Sequence, residues 1–148
     1  RLTTSSDLSR ALLQAWDYND PPPSLRWDPA DYRPHALRAL DPSTDEIRTM
    51  RGANRLAVEG LPVLPAVPSS RGLGTTSFGI HEPGELRWPI WECSLELESV
   101  RALVALAELQ QPRPDGIVLA ARGVRQVCRA RRFTDGRFRN FTMAEELL

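Results

Sequence analysis

Apolar residues recur at helical spacing in three stretches of the chain and at alternate positions in a fourth. In SDLSRALLQAW (6–16), Leu8, Ala11, Leu12 and Ala15 fall on one stripe. This predicts a short helix with Ser6 as its cap, Asp7 near its positive end and Trp16 anchoring its far end. In MRGANRLAVEGL, Met50, Ala53, Ala57 and Val58 share a helical face that ends near Gly60. The third stretch, SLELESVRALVALAEL (94–109), has Ser94 placed to cap it, Glu96 and Glu98 near its start and Pro112 to stop it. Its Val100, Leu103, Val104, Leu106, Ala107 and Leu109 cover more than one stripe, so a core helix over 94–110 is expected, buried on several sides.

The fourth stretch, 126–142, reads as an arginine-rich β-hairpin around Asp135-Gly136, a type I′ turn pair. With those two as the loop, Thr134 faces Arg137, Phe133 faces Phe138 and Arg132 faces Arg139. Alternation then puts Arg129, Arg131, Phe133, Phe138 and Asn140 on one face, and Cys128, Ala130, Arg132, Phe141 and Met143 on the other. Upstream, GIVLAARGVRQV admits either a strand or a short helix, and LRWPIWEC reads as an extended piece whose Trp88 and Trp91 cover the base of the 94–109 helix. Met143 to Leu148 reads as the beginning of a helix.

Breakers occupy much of the rest. The 13 prolines and 9 glycines make the N-terminal half irregular, with a packed proline-rich loop expected over 17–34 and short helical turns near Ala36–Leu40 and after Ser43 or Thr44. SSRGLGTTSFG reads as a glycine-bearing loop or strand connection. The expectation is an α+β fold: one small mixed domain over 1–148, incomplete because it starts without Met, with short helices, a buried helix and a C-terminal hairpin.

Net charge is zero, with 19 basic against 19 acidic residues, and every basic residue is arginine. Neutrality argues against a general polyanion binder, but the charge is segregated. Residues 81–98 hold five Glu and one Arg, whereas 116–141 hold seven Arg and one Asp. Arg122, Arg125, Arg129, Arg131, Arg132, Arg137 and Arg139 concentrate positive charge that suits salt-dependent phosphate contact, and Phe133 or Phe138 could stack on an unpaired base. Protein docking and a plain solvated surface are the competing readings. Arg48, Arg51 and Arg55 form a second cluster in which Arg51 and Arg55 project together from a helix. Asn54 beside them suits a base edge, a helix cap or a core hydrogen bond.

Signals for catalysis are weak. His35 and His81 belong to no ligand-spaced motif, and Asp28, Asp31, Asp41, Asp45 and Glu46 lie in proline turns. No catalytic residue, metal ligand set or cofactor site is assigned, which leaves a metal-dependent hydrolase fragment as a remote alternative. Residues 71–79 lack the spacing of a phosphate-cradling loop. Cys93 and Cys128 could form one bridge but imply no disulfide framework. Without a signal peptide or a long apolar run, a cytoplasmic location is expected.

The ordered set WDYNDPPPSLRWDPADYRPHALRALDPS, IRTMRGANRLAVEGLPVLP, LRWPIWECSLELESVRALVAL and RRFTDGRFRNFT resembles the C-terminal portion of an accessory or large-subunit-like protein of type I-G (formerly I-U) CRISPR systems. The resemblance spans roughly 16–142. It implies a non-nuclease, CRISPR-associated subunit of an antiviral effector complex, with other effector subunits and guide RNA or target DNA as partners. On that reading Arg51, Asn54, Arg55, Arg131, Arg132, Arg137 and Arg139 are candidates for nucleic-acid or subunit contacts. A scaffold without nucleic-acid contact would instead use the 88–109 surface, with Trp88, Trp91, Val100 and Leu103 as its interface.

Overall fold

The computed structural model describes residues 3–25, 27, 48–70, 72–78, 84–135 and 138–148. The fold is α+β, with short helices and a small sheet, and it divides into two compact units, Arg1–Leu61 with Asp135–Asn140 and Pro62–Thr134 with Phe141–Leu148.

The first unit is built on two helices, α1 (Ser5–Leu13) and α2 (Arg51–Gly60). Thr4, not Ser6, caps α1. Its hydroxyl accepts from the Asp7 N–H at 3.3 Å while the Asp7 carboxylate accepts from the Thr4 N–H at 2.8 Å, a reciprocal box that also holds the Asp7 carboxyl below its usual range. Trp16 closes the other end by donating from Nε1 to the Ala11 carbonyl at 2.8 Å. Of the expected stripe Ala11 is buried and Leu8 half-buried, whereas Leu12 and Ala15 face solvent.

α2 has no side-chain cap of its own. The buried carboxylate of Asp20 serves instead, accepting from the Arg51 N–H at 2.8 Å and pairing with Arg10 of α1. Backbone bonds of 2.9 and 3.1 Å between Asp20 and Thr49 fix it there. Met50 is buried as expected, but Val58 is exposed. In the described part of the proline-rich stretch Asp20 is buried and Tyr18 and Ser24 are half-buried, whereas Pro21, Pro22, Pro23, Leu25 and Trp27 are exposed. The expected turns near 36–40 and 43–46 lie outside the described residues.

Burial raises the Asp20 pKa, but the Arg10 hydrogen bond, the Arg51 N–H and the charges of both arginines outweigh it and hold the carboxyl below its ordinary range. A folded pKa depressed below the unfolded one contributes stability that is complete above the ordinary Asp value of about 3.9 and is lost as pH falls through the folded value. Asp20→Asn is therefore expected to destabilise the α1–α2 unit at neutral pH. The gap between it and the unaltered protein should narrow on acidification below about pH 4. Denaturation followed by amide exchange in α1 and α2 at pH 7 and pH 3 checks this, and a gap that stays constant contradicts it.

In the second unit, β1 (Ala66–Ser69) and β2 (Gly72–Thr75) form an antiparallel ribbon, so the glycine-bearing stretch is a strand rather than a phosphate loop. β3 (Glu85–Trp91) pairs antiparallel with β4 (Val124–Asp135), which is followed in the sheet by β5 (Phe138–Phe141) and also pairs with β6 (Glu145–Glu146). Residues 143–148 are thus extended, not helical. An extra residue, Arg125, bulges out opposite Ile90–Trp91, which lets Val124 and Val127, three apart, both face the core.

That core is Leu109, Leu119, Val124 and Val127, flanked by Leu103, Leu106 and Leu147. Leu119 comes from α4 (Gly116–Ala120), capped by the Asp115 carboxylate accepting from the Ile117 and Val118 N–H groups at 2.9 and 3.2 Å. Gly123, at φ +81°, turns the chain from α4 into β4, so both a helix and a strand occupy GIVLAARGVRQV.

The expected core helix over 94–110 is divided in two. α3 covers only Leu97–Val104, and a 3-10 turn follows at Ala107–Gln110. Only Val104 and Leu109 of this stretch are buried, five residues apart, a spacing that on an unbroken helix would point them about 140° apart. The break leaves the Leu109 and Gln111 carbonyls free to accept from Arg87 Nη1 at 3.0 and 2.6 Å.

Candidate functional site

β3 alternates polar and apolar from Glu85 to Trp88, and Pro89, Ile90 and Trp91 after it are all apolar. Alternation of this kind ordinarily turns the apolar set inward. Here it is inverted. Glu85, Arg87 and Pro89 are buried, Arg87 against the 3-10 turn, and Leu86 and Trp88 are half-buried on the outer face, where Ile90 is exposed. Phe78 and Phe141, with ring centroids 5.9 Å apart, cover the Leu86 end of that face, because Phe78 bridges to Leu86. Toward Trp88 and Ile90 the face opens.

The inward charges are stabilised by a relay across the sheet. Arg87 Nε donates to Glu85 Oε1 at 2.8 Å, with side-chain exposures of only 2% and 4%. The same Glu85 oxygen lies 3.7 Å from Arg129 Nη1, Arg129 Nη2 lies 3.4 Å from Glu145, and Glu145 lies 3.8 Å from Arg131 Nε. Strand register makes the relay possible by setting Arg87 opposite Arg129, Glu85 opposite Arg131, and Arg129 opposite Glu145.

Placed on the fold, four of the seven late arginines meet carboxylates. Arg122 pairs with Glu108 at 2.6 Å, Arg125 with Glu92, and Arg129 and Arg131 enter the relay. Two of the four carboxylates that meet these arginines, Glu85 and Glu92, belong to the acidic segment 81–98, so the segregated charges of the sequence are partly paired in space. Arg132 is exposed, Arg137 lies outside the described residues, and the side chain of Arg139 does too. In the first unit Arg55 pairs with Glu59, Arg51 Nη2 reaches the Pro21 carbonyl at 3.5 Å, and Asn54 donates to Thr49 Oγ1 at 2.6 Å. Asn54 is thus a structural hydrogen-bonder, not a group held out to a base.

The hairpin also differs from expectation. β4 runs through Asp135, and the Arg131 carbonyl accepts from the Thr142 N–H at 2.8 Å, where the expected register puts Arg131 opposite Asn140. The pairing is displaced by two residues at that point, so Asp135 belongs to the strand and not to the loop.

Among the expected interface residues, Trp88, Trp91 and Val100 are half-buried, whereas Leu103 packs on the core. Cys93 and Cys128 are free thiols, and burial, reinforced by Glu146, pushes the Cys128 thiol up. His35, His81, Asp28, Asp31, Asp41, Asp45 and Glu46 lie outside the described residues, and among the described residues no three His, Cys, Asp or Glu side chains converge as a metal site. No described helix is long and apolar enough to cross a membrane.

No family model, no curated protein and no solved structure matches the chain. The resemblance to a type I-G CRISPR subunit is corrected accordingly, since none of the comparisons ties the chain to CRISPR, antiviral defence, an effector complex or nucleic-acid binding. The ion pairs supply the physical reason for setting nucleic-acid binding aside: Arg122, Arg125, Arg129 and Arg131 already hold carboxylates.

Proposed function

We propose that the chain is a non-catalytic protein-docking module whose contact surface is the outer face of β3. One observation carries this reading, the inverted strand, which draws Glu85 and Arg87 inside and turns Leu86, Trp88 and Ile90 outward. Burying a charged pair while a tryptophan and an isoleucine remain at the surface is costly for an isolated domain. A partner that covers Trp88 and Ile90 recovers that apolar area, and half-exposed tryptophans are the side chains most often found at the centre of such contacts. Trp91, which pairs with the core residue Val124, and Leu103, which packs on the core, lie outside this surface. The unpaired thiols suit a reducing compartment, the cytoplasm.

A photo-reactive side chain introduced at Ile90 tests the reading in the protein's own cell extract. One discrete protein adduct, insensitive to nuclease and lost on Trp88→Asp in a folded chain, is expected. Absence of an adduct, or one that disappears with nuclease, would overturn it.

A further inference from the structure

The stretch of β4 from Val127 to Arg131 is an open sheet edge occupied by a very short strand. Leu147 donates to the Val127 carbonyl at 2.8 Å, and the Val127 N–H donates to the Leu148 carbonyl at 3.1 Å. Glu145 sits opposite Arg129, Leu147 packs against the core, and Leu148 lies over Gly116, where an added Cβ would come within 3.2 Å of it. The edge therefore offers three kinds of recognition at fixed spacing. A backbone donor and acceptor lie at Val127, guanidinium groups at Arg129 and Arg131, and an apolar socket takes the side chain two residues beyond the carboxylate.

The chain's own segment fits this edge imperfectly. Its ion pairs are 3.4 and 3.8 Å long, against about 2.7–2.9 Å for a well-formed charge-assisted bond. Arg129 Nε is buried with no hydrogen-bond partner among the described residues. A carboxylate free of the Thr142–Ala144 connection could approach Arg129 through both Nε and Nη2, the bidentate geometry arginine favours. Glu145, Glu146 and Leu148 stay exposed, as do the connecting Met143 and Ala144, while Thr142 remains tied to Arg131 through its N–H at 2.8 Å and its hydroxyl at 3.0 Å. The segment can thus swing from Met143 outward without disturbing the bonds before it.

We propose that the Val127–Arg131 edge is a strand-addition site for an extended segment of a partner protein carrying an acidic residue two positions before a leucine, and that Glu145–Leu148 occupies it in cis as a displaceable stand-in. Charge complementarity and the seated sequence define the occupant, and main-chain pairing supplies affinity as in other strand-addition complexes. The site stands apart from the outer face of β3, so either can fail alone.

The probe is a fluorescent ten-residue peptide containing Met-Ala-Glu-Glu-Leu-Leu, titrated into the full chain and into the full chain carrying Glu145→Gln and Leu147→Ala. The opened chain is expected to bind at least tenfold more tightly than the unaltered one. Adding Arg129→Gln, or replacing the first glutamate of the peptide by glutamine, should remove that gain. Equal binding to both chains, or self-association of the opened chain with exclusion of the peptide, overturns the proposal. Should the opened chain not fold, amide exchange on the unaltered chain decides. Leu147 and Leu148 are expected to exchange at least tenfold faster than Leu86 and Trp88, and exchange as slow as theirs makes the segment a permanent strand and ends the idea.

Discussion

Arg87→Ala is expected to destabilise the second unit by about 4 kcal/mol, the scale of removing one partner from a buried ion pair. The guanidinium holds Glu85 at 2.8 Å and the Leu109 and Gln111 carbonyls at 3.0 and 2.6 Å, with 2% of the side chain exposed. Alanine takes this guanidinium from the buried Glu85 carboxylate, with Arg129 at 3.7 Å, and this donor from two carbonyls at the end of the 3-10 turn. Each unmet buried group costs about 1–3 kcal/mol. Replacing both partners together, Glu85→Leu with Arg87→Met, removes the charge along with its counter-charge and should recover most of the loss. Urea denaturation read by Trp88 and Trp91 fluorescence measures both variants. Arg125→Ala serves as the contrast, since Arg125 and Glu92 are both about two-thirds exposed and such pairs contribute at most about 1 kcal/mol. If Arg87→Ala falls within the same range as Arg125→Ala, the inward placement of β3's charges is wrong, and with it the basis for a docking face on the other side.

How far this architecture can be read from the residues depends on the distance over which each feature is decided. The helix at Arg51–Gly60 and the extended run at Glu85–Trp91 are local, and their apolar spacing and breakers place them well. Asp20 is different. It caps a helix that begins 31 residues later, so no search for Ser, Thr, Asp or Asn just before Arg51 can find it. The division of 94–110 is equally remote from its own sequence, because the carbonyls freed by the break are taken by Arg87 on another element. Apolar breadth in that stretch says burial on several sides, yet half of α3 faces solvent and the fully buried positions are Val104 and Leu109.

β3 shows the sharpest failure of pattern reading. Alternation fixes which residues share a face but not which face turns inward. That choice follows from pairing with β4, where Glu85 and Arg87 stand opposite Arg131 and Arg129. The complementary acidic and basic blocks were visible in the sequence as a charge asymmetry. Read along the chain, the basic block looks like a site for an external polyanion. Folded, Glu85, Glu92, Glu108 and Glu145 meet Arg122, Arg125, Arg129 and Arg131 of that block.

Gly52→Ala is expected to destabilise the first unit by about 3 kcal/mol, although helix propensity alone assigns it the opposite sign. Alanine is favoured over glycine within a helix by about 1 kcal/mol. Against that, a Cβ on Gly52 would stand 2.0 Å from the Asp7 carbonyl oxygen, 2.6 Å from its carbon and 2.9 Å from the Ala11 Cβ. Two of those three atoms are backbone of α1, so no rotamer change relieves the clash and the helices must separate. Overpacking of this kind costs about 1–3 kcal/mol, or more where backbone has to move, and separation also loosens Arg10 of α1 from the Asp20 carboxylate that caps α2. Gly60→Ala supplies the control. Nothing lies within 4 Å of its added Cβ, so only the small propensity effect remains there. Thermal melting with amide exchange in both helices compares the pair. Gly52→Ala melting at or above the unaltered protein would mean that α1 and α2 are held apart at this position, because a close crossing leaves no room for the methyl group.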